Sequence, residues 1–248
     1  MADLGSAYPA LAVVVGASGG IGRALAERMI ESRAYGRVVA LSRQRPDGWA
    51  DDARRAWAPL DILAEESIAA GARLVAALGV PTRIVVASGR LSGDGLTPEK
   101  SMRALNAEAL ADIFAVNAIG PALVAKHLLP LTPRDRPSLF AALSARVGSI
   151  GDNRLGGWYG YRASKAALNM LIHTLAIEHR RTRPQGVCAA LHPGTVKTTL
   201  SAPFQAGVPE EKLFSPKRSA AALMQVMDGL TPEDTGGFFA WDGSKIPW

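Results

Sequence analysis

Short apolar runs alternate along this chain with longer stretches in which apolar residues recur every three or four positions. The runs are Ala10–Val15, Arg37–Leu41, Ala56–Leu60, Arg83–Val86, Ser138–Leu143, Gly186–Leu191 and Gly237–Trp241. Their length suits buried strands. Between them the helical period marks Gly20–Ser32, Ala64–Leu78, Pro98–Leu129, Trp158–Arg181 and Pro216–Asp228. Alternation of this kind is the signature of βαβ units around a parallel sheet. The pattern therefore predicts one doubly wound α/β domain with a seven-stranded parallel sheet, its ligand site beyond the carboxyl ends of the strands. No repeat, low-complexity tract or linker divides residues 1–248. Residues from about 10 to 150 are expected to serve a cofactor, and from about 151 to 248 catalysis and substrate.

Composition narrows the picture. A lone cysteine, Cys188, excludes a disulfide framework and a thiolate metal cluster, and no metal is expected. Met1–Pro9 offers no basic lead-in, and Leu11–Val15 is too short for a signal core. No run reaches the 18 or so apolar residues of a membrane span, which points to a cytoplasmic protein free of membrane partners. The formal charge of +6 and a pI near 9.8 raise the question of nucleic acid. The arginines are scattered through helical segments without interleaved aromatics, so the excess is read as a basic surface suited to an anionic cofactor.

The chemistry begins where the first apolar run ends. Gly16-Ala17-Ser18-Gly19-Gly20-Ile21-Gly22 lies between a strand and a helix. Glycines there allow a tight turn and close backbone approach to a pyrophosphate set against the helix N-terminus. This context points to a Rossmann-type dinucleotide site. An acid about twenty residues further on would select NAD by holding the ribose 2′-hydroxyl, whereas arginine accommodates a 2′-phosphate. Ser42-Arg43 stands at that place, so NADP(H) is the expected cofactor. Asp61, after the third run, suits either an adenine pocket or a helix cap.

A second constellation is Trp158-Tyr159-Gly160-Tyr161-Arg162-Ala163-Ser164-Lys165. Residues four apart share a helix face, so Tyr161 and Lys165 look into one space. A lysine ammonium favours the phenolate and draws the tyrosine pKa down from about 10 toward a working range. Tyr159 is a weaker candidate, because Ala163 stands four residues after it.

The glycine spacing together with Tyr-x-x-x-Lys resembles the short-chain dehydrogenase/reductase family, and the resemblance runs from Leu11 to Gly243. It implies hydride transfer between NADP(H) and a small-molecule carbonyl or alcohol substrate. Tyr161 is then the acid/base, and Lys165 both modulates its pKa and holds the nicotinamide ribose. Asn117, in Phe114-Ala115-Val116-Asn117, is the counterpart of an asparagine that holds a relay water. Asp61 matches the residue beside the adenine, and Ala87-Ser88-Gly89 the approach to adenosine. Pro193, Gly194, Val196 and Thr198 match the turn that meets the nicotinamide carboxamide; His192, just before it, is read as structural. The long helices at 98–129 and 158–181 match the family's dimer interface, implying a homodimer or homotetramer. Leu200–Ser215 matches a mobile substrate lid. Ala87–Gly89 and Ser144–Lys165 resemble bacterial members of the C-factor subgroup.

Three positions depart from the pattern. Val15 replaces a common threonine, and Ala87-Ser88-Gly89 replaces Asn-Asn-Ala-Gly. Ala145 stands where the family has the serine that polarises the substrate carbonyl. Ser144, one residue early, serves if the chain turns first, and Ser149 is a further candidate. An alternative from another class is an NADP-binding regulatory protein on the same fold with vestigial chemistry.

Overall fold

Leu11–Val15 is buried at every position, and five consecutive buried residues require a strand covered on both faces. This strand, β1, lies inside a sheet in the computed structural model, which describes residues 10–93 and 95–248. Met1–Pro9, read above for a leader, and Asp94 lie outside the described residues. In chain order follow α1 (Gly20–Glu31), β2 (Arg37–Ser42), β3 (Arg55–Pro59), α2 (Glu65–Leu78), β4 (Pro81–Val86), α3 (Ala107–Phe114), α4 (Gly120–Leu128) and β5 (Ser138–Leu143). Then come α5 (Tyr159–Arg180), β6 (Gly186–His192), β7 (Thr195–Val196), β8 (Leu213–Phe214), α6 (Pro216–Gly229) and β9 (Phe238–Ala240).

The seven-stranded sheet has the order β3-β2-β1-β4-β5-β6-β9, and every pairing in it is parallel. The strand order reverses between β1 and β4, opening a crevice at their carboxyl ends. Alternation along β1 divides the core into two layers. Val13 and Val15 pack with residues of α2, α4 and α5, whereas Ala12 and Val14 pack with those of α1 and α6. The predicted fold class is observed.

The expected helix over Pro98–Leu129 is corrected. Residues 98–106 form a loop with one 3₁₀ turn, and α3 begins only after Asn106, whose side chain accepts from the Ala109 N–H. Asparagine competes with the helix for backbone groups and so starts it rather than extends it. Between α3 and α4, Ala115–Ile119 is π-helical. The stretch Ala107–Leu131 also corrects the expectation that nothing here is long and apolar enough to cross a membrane. An 18-residue window within it has a mean hydropathy of 1.5 and is 33% buried. Glu108, Asp112 and Asn117 interrupt the apolar run, but the Ala, Ile, Val and Leu residues around them keep its average high. In this fold the stretch packs on α2 and α5.

The segment expected as a mobile lid is tied down at its ends. β7 and β8 form a small parallel ladder, and the Lys197 N–H donates to Phe214 O at 2.8 Å. Between these ends the chain makes 3₁₀ turns at Ala202–Phe204 and Glu210–Lys212.

Candidate active site

The turn from β1 to α1 is built by contacts that exclude side chains. Gly16 has a φ of +83°, and a Cβ there would stand 2.8 Å from the Ser88 backbone nitrogen. A Cβ on Gly22 would fall 2.2 Å from Gly16 O, a backbone clash that no rotamer change relieves. The turn therefore lies directly against Ala87 and Ser88 at the end of β4. Ser18, Gly19 and Gly20 are exposed at the start of α1, and Ile21 is tucked against the core. A Cβ on Gly20 would meet the Thr198 methyl at 2.9 Å, so the loop carrying Pro193, Gly194, Val196 and Thr198 closes the other side of this mouth. Ser219 fixes that loop by donating to Pro193 O at 2.8 Å. Exposed amides at a helix N-terminus, with no Cβ in front of them, suit a pyrophosphate.

At the far end Arg43 is exposed and forms no hydrogen bond or ion pair with any described residue. Ser42 differs from expectation. It is 3% exposed, donates to Gln44 O at 2.7 Å and accepts from Trp57 Nε1 at 3.2 Å. Its hydroxyl hydrogen is thus already committed, and Ser42 positions the β2 end instead of presenting a donor. Asp61 accepts from the Leu63 N–H at 3.0 Å, which makes it a turn-forming residue at the crevice edge.

Tyr161 lies in the first turn of α5, 8% exposed, in an apolar cluster with Leu91 and Ile113. Its hydroxyl has no hydrogen-bond partner among the described residues, and burial pushes its pKa up to about 12. Lys165 lies one turn on, its Nζ 5.8 Å from the Tyr161 ring centre and donating to Leu143 O at 2.8 Å. Burial pushes its pKa down to about 8. The expected lowering of the tyrosine pKa is therefore outweighed here by desolvation, which disfavours each charged form.

Asn117 is fully buried in the π-helical turn, a feature frequent at functional sites because it breaks the regular helix ladder. Its side chain accepts from the Arg90 N–H and donates to Arg90 O, both at 2.8 Å, and donates to Ser164 Oγ at 3.1 Å. The amide is thus a bracket between the loop after β4 and α5. A Cβ on Gly89 would stand 3.7 Å from both Asn117 Oδ1 and Lys165 Nζ, so these three residues converge.

Ser144 is corrected. Its N–H donates to Leu191 O at 2.8 Å, so the sheet ladder continues through it and the chain has not yet turned. Strand alternation then aims its side chain at α5, where its hydroxyl donates to Asn169 Oδ1 at 2.6 Å. Ala145 instead packs against the Tyr161 cluster. Ser149 is 2% exposed and accepts the Asp152 N–H at 3.1 Å within a turn. His192 is held neutral at pH 7, its pKa pushed down to about 4 chiefly by burial.

Three residues went unread in the sequence. Asn169, four after Lys165, had the helical spacing that could have revealed it. Trp158 stands left-handed at φ 51°, ψ 45°, which costs a non-glycine residue about 1–2 kcal/mol. Glu99, only 6% exposed, accepts the Gly160 N–H at 3.1 Å, a contact across 61 residues that no local pattern announces. A cavity of about 430 Å³ between α6 and β9 shares none of these residues.

A family model described as short chain dehydrogenase matches residues 10–208. C-signal of Myxococcus xanthus is 38% identical over 140 residues, which cover 56% of this chain and 78% of that one. The 1-hydroxy-2-glutathionyl-2-methyl-3-butene dehydrogenase of Rhodococcus sp. (strain AD45) is 36% identical over 133 residues, covering 54% and 56%. The chain thus spans little more than half the length of several curated relatives it matches. A putative short-chain dehydrogenase/reductase of Burkholderia multivorans, solved with bound NADP, superposes with a TM-score of 0.77 at 26% identity, covering 97% of this chain and all of the other.

Proposed function

Because the chain belongs to the short-chain dehydrogenase family of oxidoreductases, we propose that it transfers hydride between NADP(H) and a carbonyl or alcohol, with Tyr161 as acid/base. The convergence of Tyr161, Lys165, Asn117 and Gly89 at the mouth of the glycine turn carries this reading. Gly16, Ser18, Gly19, Gly20, Ile21 and Gly22 would hold the pyrophosphate and Arg43 the 2′-phosphate. Asp61, Ala87, Ser88 and Gly89 would flank the adenosine, and Pro193, Gly194, Val196 and Thr198 the nicotinamide. The bound nicotinamide supplies or accepts the hydride. Tyr161 gives or takes the proton at the substrate oxygen, and the Lys165 ammonium beside it stabilises negative charge on that phenol. Residues from about 10 to 150 would serve the cofactor, and from about 151 to 248 the substrate. A homo-oligomer formed through α4 and α5 is part of this reading; Ile119, just before α4, and Met170 and Ile177 on α5 are 52%, 64% and 55% exposed.

Arg43 makes the cofactor choice testable. Its guanidinium fork pairs with a phosphate in charge-assisted bonds. NADPH is expected to bind at least about tenfold tighter than NADH, roughly 1.4 kcal/mol, and Arg43→Asp to reverse the order. Titration of both cofactors measures this, and equal dissociation constants for the unmodified protein exclude the assignment.

The pH dependence has a defined sign. Lys165 is depressed to about 8, so its charge is lost as pH rises through that value, well before an ordinary lysine would lose it. Tyr161, pushed up to about 12, keeps its proton throughout. In carbonyl reduction kcat/KM is therefore expected to fall above about pH 8, since this parameter reports groups of the free enzyme. A flat profile to pH 10 excludes the role given to Lys165.

Ala145 supports a second reading, a regulatory NADP-binding protein with vestigial catalysis. Tight cofactor binding without NADPH oxidation across a carbonyl panel would select it.

A further inference from the structure

Three consecutive residues, Gly156, Gly157 and Trp158, have positive φ values of 62°, 65° and 51°. Glycine takes this conformation freely, and the chain uses it for the first two. The third carries the bulkiest side chain available, at a backbone cost that glycine would avoid. Strain of this kind persists only where surrounding contacts impose it.

Those contacts come from both sides. The Trp158 N–H donates to Glu99 O at 2.5 Å, and the Glu99 carboxylate accepts the N–H of Gly160 in the first turn of α5. From the other side Arg162 donates to Gly156 O at 3.2 Å, Gly157 O at 3.0 Å and Val147 O at 3.2 Å. The indole held this way meets Tyr161 edge-on at 6.2 Å and 72°. It meets Phe204, on the segment between β7 and β8, at 5.0 Å and 62°. Trp158 and Phe204 are only half-buried, so the strained indole does not fill the core. Around them Leu91, Ala145, Val147 and Leu200 present no hydrogen-bonding side chain.

We infer that Trp158 and Phe204 form an aromatic clamp beside Tyr161 that grips a flat apolar substituent of the substrate, selecting aryl-substituted over small aliphatic carbonyls. This rests on the hydride-transfer reading above. Edge-to-face and offset-stacked aromatic pairs form at ring-centre distances of 4.5–7 Å; the two rings contact each other at 5.0 Å, and a third ring makes the same kind of contact with the open side of the pair. An aryl group packs on the half-exposed faces of these two rings, while Glu99 and Arg162 hold the backbone of residues 156–158 in place.

Acetophenone and acetone test the clamp, because both are methyl ketones and only one carries a ring. With NADPH the unmodified protein is expected to favour acetophenone in kcat/KM. Trp158→Gly should lower that preference at least about tenfold, the scale of discrimination by apolar pocket contacts, whereas Trp158→Phe should keep most of it. Relief of the left-handed strain, about 1–2 kcal/mol, offsets part of the packing that Trp158→Gly removes, so the variant should stay folded at assay temperature. An unchanged preference in Trp158→Gly overturns the clamp, whatever its stability. Calorimetric titration of acetophenone into the NADP-saturated protein separates the two levels. Binding that Trp158→Gly weakens, with no NADPH consumed by any form, keeps the clamp and removes the hydride-transfer reading. NADPH consumption with a preference that ignores Trp158 does the reverse. Absence of both binding and turnover removes the clamp.

Discussion

Tyr161→Phe is expected to lower turnover by about 10²–10⁴, the range that general acid–base catalysis supplies, while leaving the fold and cofactor affinity intact. The separation is sharp because the Tyr161 hydroxyl forms no hydrogen bond with any described residue. Removing it strands no buried partner, so the thermal midpoint should hold. Lys165→Ala differs on both counts. It should reduce rate and cofactor affinity together if the ammonium serves both the phenol and the ribose as proposed, and it deletes the bond to Leu143 O. Steady-state kinetics on one carbonyl substrate, with cofactor titration alongside, reads all three quantities. Near-full turnover by Tyr161→Phe would remove the mechanism.

Ala145→Ser is expected to raise the rate on a simple carbonyl. A missing oxyanion donor typically costs about 10²–10³ in rate, or 2.7–4 kcal/mol, and Ala145 packs against the Tyr161 cluster where such a donor would be useful. Ser144→Ala should act through stability instead. It leaves Asn169 Oδ1 without its buried donor, at a cost of about 1–3 kcal/mol, with little loss of turnover at temperatures where the protein is folded. Measuring rate and thermal midpoint for both variants separates the roles. A tenfold or greater rate loss in fully folded Ser144→Ala, on the scale of a lost donor, would reinstate Ser144 as the substrate's donor.

The strands were readable because a two-sided parallel sheet demands unbroken apolar runs, and β1 with its five buried residues is the plainest case. The glycine turn was readable because backbone packing at Gly16 and Gly22 leaves no room for other residues. Tyr161 and Lys165 were readable because the helical period alone puts them on one face. Asn106 misled by lying within a region of helical period, where its side chain starts the helix instead of continuing it.

What depended on groups distant in the chain was decided only by tertiary structure. The direction of Ser144 followed from a ladder bond to Leu191 and from Asn169 on the facing helix. The pKa values of Tyr161 and Lys165 followed from burial, which spacing does not report. Ser42 gave its donor to Gln44 O and accepts from Trp57 Nε1, and Trp158 took its strained conformation from Glu99 and Arg162. The sheet, the glycine turn and the Tyr–Lys pair each follow from a local period or a steric rule. The aim of each hydroxyl, the strained indole and the charge states depended on long-range hydrogen bonds and desolvation, which exist only once the chain is packed.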